Sequence, residues 1–275
     1  MKDALIVSAL SVLPRKRGAR TMGWFARSRI SRLVVRLFIK TYGIDISDAE
    51  GTLKDFPTLE SLFTRSLKPG SRPIEDEIGT PVSPVDGKVA FVGTTTGGQF
   101  EIAPGKFTMI SELLQQPVDG ERDVVVLYLS PRDYHRVHAP QRGLATSWHY
   151  VPGTLWPVFP AAVRRIKKLF SSNERVIVHL ETDEGPMDVV LVGAFGVGRI
   201  TLAVCDLITN SGGKRATGEL DPPILLDKGD LLGIFHLGST VVLVTPPGSH
   251  NWTVKEGEPI LVGRKLGQKI RQLPG

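Results

Sequence analysis

The chain has 275 residues, 41% of them hydrophobic and 23% charged, which excludes a disordered protein and leaves room for a sizeable core. Its single cysteine, Cys205, excludes an intrachain disulfide and any cysteine-based metal cluster. The net charge of +6 is unevenly spread: no acidic residue lies between Asp3 and Asp45, while Arg15, Lys16, Arg17, Arg20, Arg27, Arg29, Arg32, Arg36 and Lys40 all do.

Such a basic block faces a polyanion, either nucleic acid or an anionic membrane. The apolar residues favour the membrane. Ile30, Leu33, Val34, Leu37 and Phe38 recur at i, i+3, i+4, i+7 and i+8, the oily stripe of a helix. With Trp24 and Phe25 just upstream, the pattern fits a helix lying in a membrane interface. A helix packed on the protein's own core would show the same stripe. No apolar run is long enough to span a bilayer. "ALIVSALSVL", residues 4–13, carries its positive charges after the apolar stretch and lacks a small-x-small cleavage site, so it reads as a retained surface anchor and not a signal peptide.

"FPTLESLFTRSLKPGSRPI", 56–74, reads as a short helix opened near Pro57 and Thr58 and closed by Pro69, Gly70 and Pro73. Thereafter "DVVVLYL" (123–129), "RVIVHL" (175–180), "DVVLVGAFGVG" (188–198), "STVVLVT" (239–245) and "PILVG" (259–263) are β-branched runs separated by turn residues. "SELLQQ" (111–116) and "AAVRRIKKLF" (161–170) are expected helices between them. The expected class is α+β: a mainly antiparallel β core with interspersed short helices and a basic helical N-terminal membrane-association segment. The division expected is 1–50 for that amphipathic segment and 51–275 for the β-rich domain.

The chemistry-bearing residues are concentrated in three places. "YLSPRDYHRVHAP", 128–140, places His135 and His138 amid arginines, Asp133 and Tyr134, where a buried-looking strand breaks at Pro131. Side chains at a strand end can project into a cleft. Asp86 in "SPVDGKVA" reads, taken alone, as a turn residue. Ser239 in "HLGSTVVLV" lacks the Gly-x-Ser-x-Gly frame of hydrolase elbows. Together an Asp, a His and a Ser make a possible triad. Gly238 leaves its own carbonyl sterically open to Ser239, so the serine can attack the preceding peptide bond, with proximity supplying much of the rate. The ester so formed can eliminate to dehydroalanine and hydrolyse to a pyruvoyl group. A metal site is not expected, because no third ligand stands beside the His pair.

"HLGSTVVLV" resembles the Leu-Gly-Ser-Thr cleavage motif of phosphatidylserine decarboxylase proenzymes, "YLSPRDYHRVHAP" resembles their histidine segment, and "SPVDGKV" their aspartate segment. "LFTRSLKPGSRPI", "YVPGTLWPV", "NERVIVHLETDEGPMDVVLVGAFGVGRI" and "KGDLLGIF" follow in the family's order. The resemblance implies self-cleavage between Gly238 and Ser239, giving a β chain of residues 1–238 and an α chain of residues 239–275 that stay associated. Asp86, His138 and Ser239 would form the cleavage triad. Ser239 would become the pyruvoyl cofactor and form a Schiff base with the substrate amine, and His135 would return a proton after decarboxylation.

The implied reaction converts phosphatidylserine to phosphatidylethanolamine and carbon dioxide. The implied setting is peripheral, on the cytoplasmic face of the cell membrane. Residues 1–44 would meet the anionic surface, with no nucleic-acid partner and with homo-oligomerisation left open. His236 departs from some relatives. Two other readings fit parts of the chain: a pyruvoyl decarboxylase of a soluble amino acid, which leaves the basic start unexplained, and a non-catalytic carrier-like β module, which lacks its modified-lysine hairpin. A serine hydrolase is more distant, and its chain would remain intact.

Overall fold

A computed structural model of the chain describes residues 15–195, 199–210, 214–236 and 238–270. The expected anchor at 4–13 and the tail of the 188–198 segment lie outside the described residues. Among those described are six short α-helices: α1 (Arg15–Arg27), α2 (Arg32–Tyr42), α3 (Leu59–Phe63), α4 (Ile110–Leu114), α5 (Pro160–Val163) and α6 (Leu169–Ser172). The strands are β1 (Gly87–Thr94), β2 (Gln99–Ala103), β3 (Lys106–Met109), β4 (Asp123–Leu129), β5 (Arg136–His138), β6 (Gly143–Val151), β7 (Arg175–Thr182), β8 (Gly185–Gly193), β9 (Ile200–Leu202), β10 (Ala216–Leu226), β11 (Leu231–Phe235), β12 (Ser239–Thr245), β13 (His250–Trp252), β14 (Pro259–Ile260) and β15 (Gly267–Lys269).

The main sheet has eight antiparallel strands in the order β10-β6-β7-β8-β12-β4-β1-β14. Successive side chains of a strand point to opposite faces. On one face Val241 and Leu243 join Leu127, Leu129 and Leu191, and the small sheet β5-β11-β9 covers them through Val137, Leu232 and Phe235. On the other, Val242 and Val244 join Val126 and Val190 beneath α4, α5 and α6. A sheet covered on both faces needs apolar residues at every position. That is why the centres of β4 (124–127) and β12 (241–244) read as unbroken valine and leucine runs instead of alternating. Each such buried side chain contributes about 1.5–3 kcal/mol.

The helix expected over 161–170 divides into α5 and α6. Lys168 takes a left-handed conformation (φ 53°) between them. The break lets Ala161, Ala162 and Val163 on one side and Leu169 and Phe170 on the other bury on the sheet, while Arg164, Arg165, Lys167 and Lys168 stay in water. Arg175 then ties α4 and α6 together: fully buried, it donates to the carbonyls of Leu113, Glu112, Ser171 and Asn173 at 2.6–3.0 Å. The strand expected over 259–263 stops at Ile260 because the Val262 N–H is used elsewhere, on Asp86.

The N-terminal helices have their own core of Ala26, Val35, Ile44, Ala49, Phe56, Leu59 and Leu62. The stripe read from the sequence is split there. Val34 and Phe38 pack on this core, while Ile30, Leu33 and Leu37 are 57%, 83% and 63% exposed. α3 begins where expected: Thr58 caps it, accepting from the Ser61 N–H at 3.0 Å.

Candidate active site

Ser239 opens β12, paired with Leu129 on one side and Gly193 on the other. It is completely buried, and among the described residues its Oγ has no hydrogen-bond partner. A dry, unpaired hydroxyl costs about 1–3 kcal/mol, so a serine leading into Val241 and Val242 is not there for stability. Thr240 Oγ1, pointing to the opposite face, is unpaired as well. It lines a mostly apolar cavity of about 400 Å³ with Val126, Tyr128, Val158 and Phe170, which Lys88, Arg164 and Glu256 also border. Gly238 is left-handed (φ 47°), and a Cβ there would lie 3.1 Å from the Phe195 carbonyl oxygen. Glycine satisfies both demands.

The histidine segment is folded by its own polar residues. Asp133 accepts from the Ser130 N–H and Oγ, both at 2.7 Å, closing a turn after β4. His135 follows, fully buried, with the Phe63 ring edge-on at 5.0 Å. Its Nδ1–H donates to the Asp133 carbonyl at 2.8 Å, and its Nε2 has no partner among the described residues. A carbonyl can only accept, which fixes the proton on Nδ1 and the lone pair on Nε2. Burial lowers the pKa of this imidazole to about 4, so at neutral pH Nε2 is a base. Arg65 props the same turn, donating to the carbonyls of Leu62, Arg132 and Asp133 at 3.1–3.3 Å.

His138 ends β5. Its Nδ1–H donates to the Gly229 carbonyl at 2.7 Å and its Nε2 accepts from the Tyr134 hydroxyl at 3.1 Å. Burial holds its pKa below the usual histidine range, and burial pushes the Tyr134 phenol up to about 12, so that hydroxyl keeps its proton. Asp86 is bound by Arg72, through Nε at 3.0 and 3.1 Å and Nη2 at 2.6 Å, and by the Val262 N–H at 2.9 Å.

The backbone brings all three segments together. The His138 N–H donates to Pro84 O at 2.9 Å, and the Phe235 N–H donates to His135 O at 3.0 Å, four residues before Ser239. The side chains of Asp86, His138 and Ser239 are not hydrogen-bonded to one another among the described residues. Asp86 reaches both histidines as a charge that favours their protonated forms. The contacts of Arg65, Arg72 and Tyr134 were not expected from the sequence, although Tyr134 lies within the histidine segment. Arg72 lies fourteen positions from Asp86, and only the tertiary fold joins them.

Around the residues before Gly238 runs a second polar cluster. Glu60 Oε1 accepts from His236 Nδ1 at 2.8 Å and from Arg199 Nη1 at 3.2 Å. Against a burial that disfavours its charge, His236 and then Arg199 hold the Glu60 carboxyl below its usual range.

Residues 59–268 match the profile of the family described as phosphatidylserine decarboxylase. The chain belongs to the phosphatidylserine decarboxylase family. It is 36% identical to a phosphatidylserine decarboxylase proenzyme of Myxococcus xanthus, over 97% of this chain and 99% of the relative. Proteins of the same name from Brevibacillus brevis and Anaeromyxobacter sp. are 37% and 38% identical, over 98% and 97% of this chain and 99% of each relative. Family membership makes the chain an enzyme, and the family match runs from the first residue of α3 into β15. It takes in each of the segments just described.

Proposed function

We propose that this decarboxylase cuts itself between Gly238 and Ser239 and then converts phosphatidylserine to phosphatidylethanolamine and carbon dioxide. The observation that carries the reading is the buried, unpaired Ser239 Oγ beside a left-handed Gly238, in a chain whose relatives are named proenzymes of that activity. A hydroxyl held in a dry site next to an unhindered carbonyl is poised for an intramolecular acyl shift. Oγ gives its proton to a base and bonds to the Gly238 carbonyl carbon; the C–N bond breaks as the nitrogen takes a proton, leaving an ester. Removal of the Ser239 Cα proton then expels the Gly238 carboxylate from Cβ. Water releases ammonia, and the ketone of a pyruvoyl group remains at the head of β12.

His138 is the proposed base for the cut, with Asp86 stabilising its charge. Its lone pair is held by Tyr134, so that hydroxyl must turn aside or pass the proton on. Once formed, the pyruvoyl group supplies a sink for the electrons left when carbon dioxide departs. His135, with its tautomer fixed and Nε2 free, takes up a proton and returns it to the product carbon.

The exposed Ile30, Leu33 and Leu37 beside Arg29, Arg32 and Arg36 support contact of the N-terminal segment, residues 1–50, with an anionic membrane. No helix among the described residues is long and apolar enough to cross one.

The test is the intact mass of the purified chain beside a Ser239→Ala control. The wild type should give fragments of residues 1–238 and 239–275, the smaller blocked by pyruvoyl, while the control stays at 30.0 kDa. Assays on phosphatidylserine micelles and on free serine then separate a lipid substrate from a soluble one. A wild type that stays whole, or that releases carbon dioxide only from free serine, would overturn the reading.

A further inference from the structure

The second polar cluster has no part in the chemistry above, yet it grips the chain on the other side of the scissile bond. Ser239 is held from β12 onward by two neighbouring strands. Before the bond, β11 ends at Phe235. The next residue, His236, is fixed through backbone and ring: its N–H donates to Arg199 O at 3.0 Å, and its Nδ1–H donates to Glu60 Oε1 at 2.8 Å. The same carboxylate oxygen binds Arg199 at 3.2 Å, and His236 Nε2 accepts from the Thr201 hydroxyl at 3.3 Å. Glu60 therefore cross-links β11's exit to the start of β9 from a helix 176 positions away. The side chains of His236 and Glu60 are only 12% and 18% exposed, so solvent screens the contact weakly.

We infer that Glu60 and His236 form a positioning clamp for self-cleavage, holding the amino side of the bond between Gly238 and Ser239 against the fixed strand on its other side. The inference rests on the self-processing reading. The anchored residues His236 and Ser239 are three apart, so the clamp limits how far the Gly238 carbonyl can drift from Oγ. Neither residue exchanges protons with Ser239. Their contribution is geometric, and a displacement of about 1 Å at such a step slows it by roughly 100-fold.

The test is a pulse-chase measurement of conversion of the full-length chain into its two fragments. Glu60→Ala and His236→Leu should each slow conversion by roughly 10- to 100-fold, and the double variant should be no slower than either single one. His236→Asn, whose amide N–H can take the place of Nδ1–H, should restore most of the rate. Turnover of fully matured enzyme should change far less than the rate of cutting. Melting of the same substitutions in the uncut Ser239→Ala chain separates a folding defect from a cutting defect. Unchanged conversion in His236→Leu, additive slowing in the double variant, or slowing matched by lost thermal stability would overturn the clamp. A wild type that never cuts would instead overturn the self-processing reading, and the clamp with it.

Discussion

The buried imidazole of His135 links chemistry to stability. Its pKa falls from 6.5 in the unfolded chain to about 4 in the folded one, first because burial disfavours the charged ring. Between those values the unfolded chain binds the extra proton, so stability is complete above pH ~6.5 and is lost as pH falls toward ~4, by roughly 3 kcal/mol in all. Urea midpoints of the uncut Ser239→Ala chain should fall across that window. His138 and His250, also lowered by burial, add slope of the same sign. Adding His135→Gln should therefore flatten the profile without abolishing its slope, and an unchanged profile would contradict a neutral buried His135. Gly238 makes a different demand. In Gly238→Ala the left-handed conformation costs about 1–2 kcal/mol, and the new methyl meets Phe195 O at 3.1 Å. Lower melting of the uncut precursor and slower cutting should appear together.

Among the elements, the loop after α3 is tied to the start of β1 by the ion pair between Arg72 and Asp86. The aspartate side chain is 6% exposed and the arginine 17%. Arg72→Met would leave a buried carboxylate with the Val262 N–H and little else, a loss of roughly 3 kcal/mol. Chemical denaturation should show that loss, and Arg72→Met with Asp86→Asn should recover part of it by removing the stranded charge. This pair also marks where the sequence stops being informative. β4, β7 and β12 were legible because burial on both faces requires runs of valine and leucine. β10 was not, since Pro222 and Pro223 break the strand pattern and are tolerated only because β10 is an edge strand with a register shift there. Asp86, His135, His138 and Ser239 stood out through the motifs that resemble the family's, and the fold sets each at a strand boundary. Their partners did not. Arg72 meets Asp86, Tyr134 meets His138, and Glu60 meets His236 beside the site, through geometry that no spacing rule encodes.

Over the whole molecule, the N-terminal helices divide their residues between two surroundings. Val35 and Ala26 bury in the helical core, while Trp24, Ile30, Leu33 and Leu37 stand 57–83% exposed. α3, packed on the same core, carries Phe63 to His135 and Glu60 to His236. Deleting residues 1–44 would strip α1 and α2 from that core, so lost activity could not be assigned to lost membrane contact. Outward substitutions avoid this. Leu33→Glu with Leu37→Glu touches neither core nor site, and each leucine withdrawn from lipid forfeits about 1.5–3 kcal/mol of burial. Wild type should co-sediment with phosphatidylserine-containing vesicles, less so in high salt as the arginine attraction is screened. The double variant should stay in the supernatant at either salt, cut itself at the wild-type rate, and turn over lipid in detergent micelles far better than in vesicles. Binding by the variant equal to wild type would place the membrane contact elsewhere on the molecule.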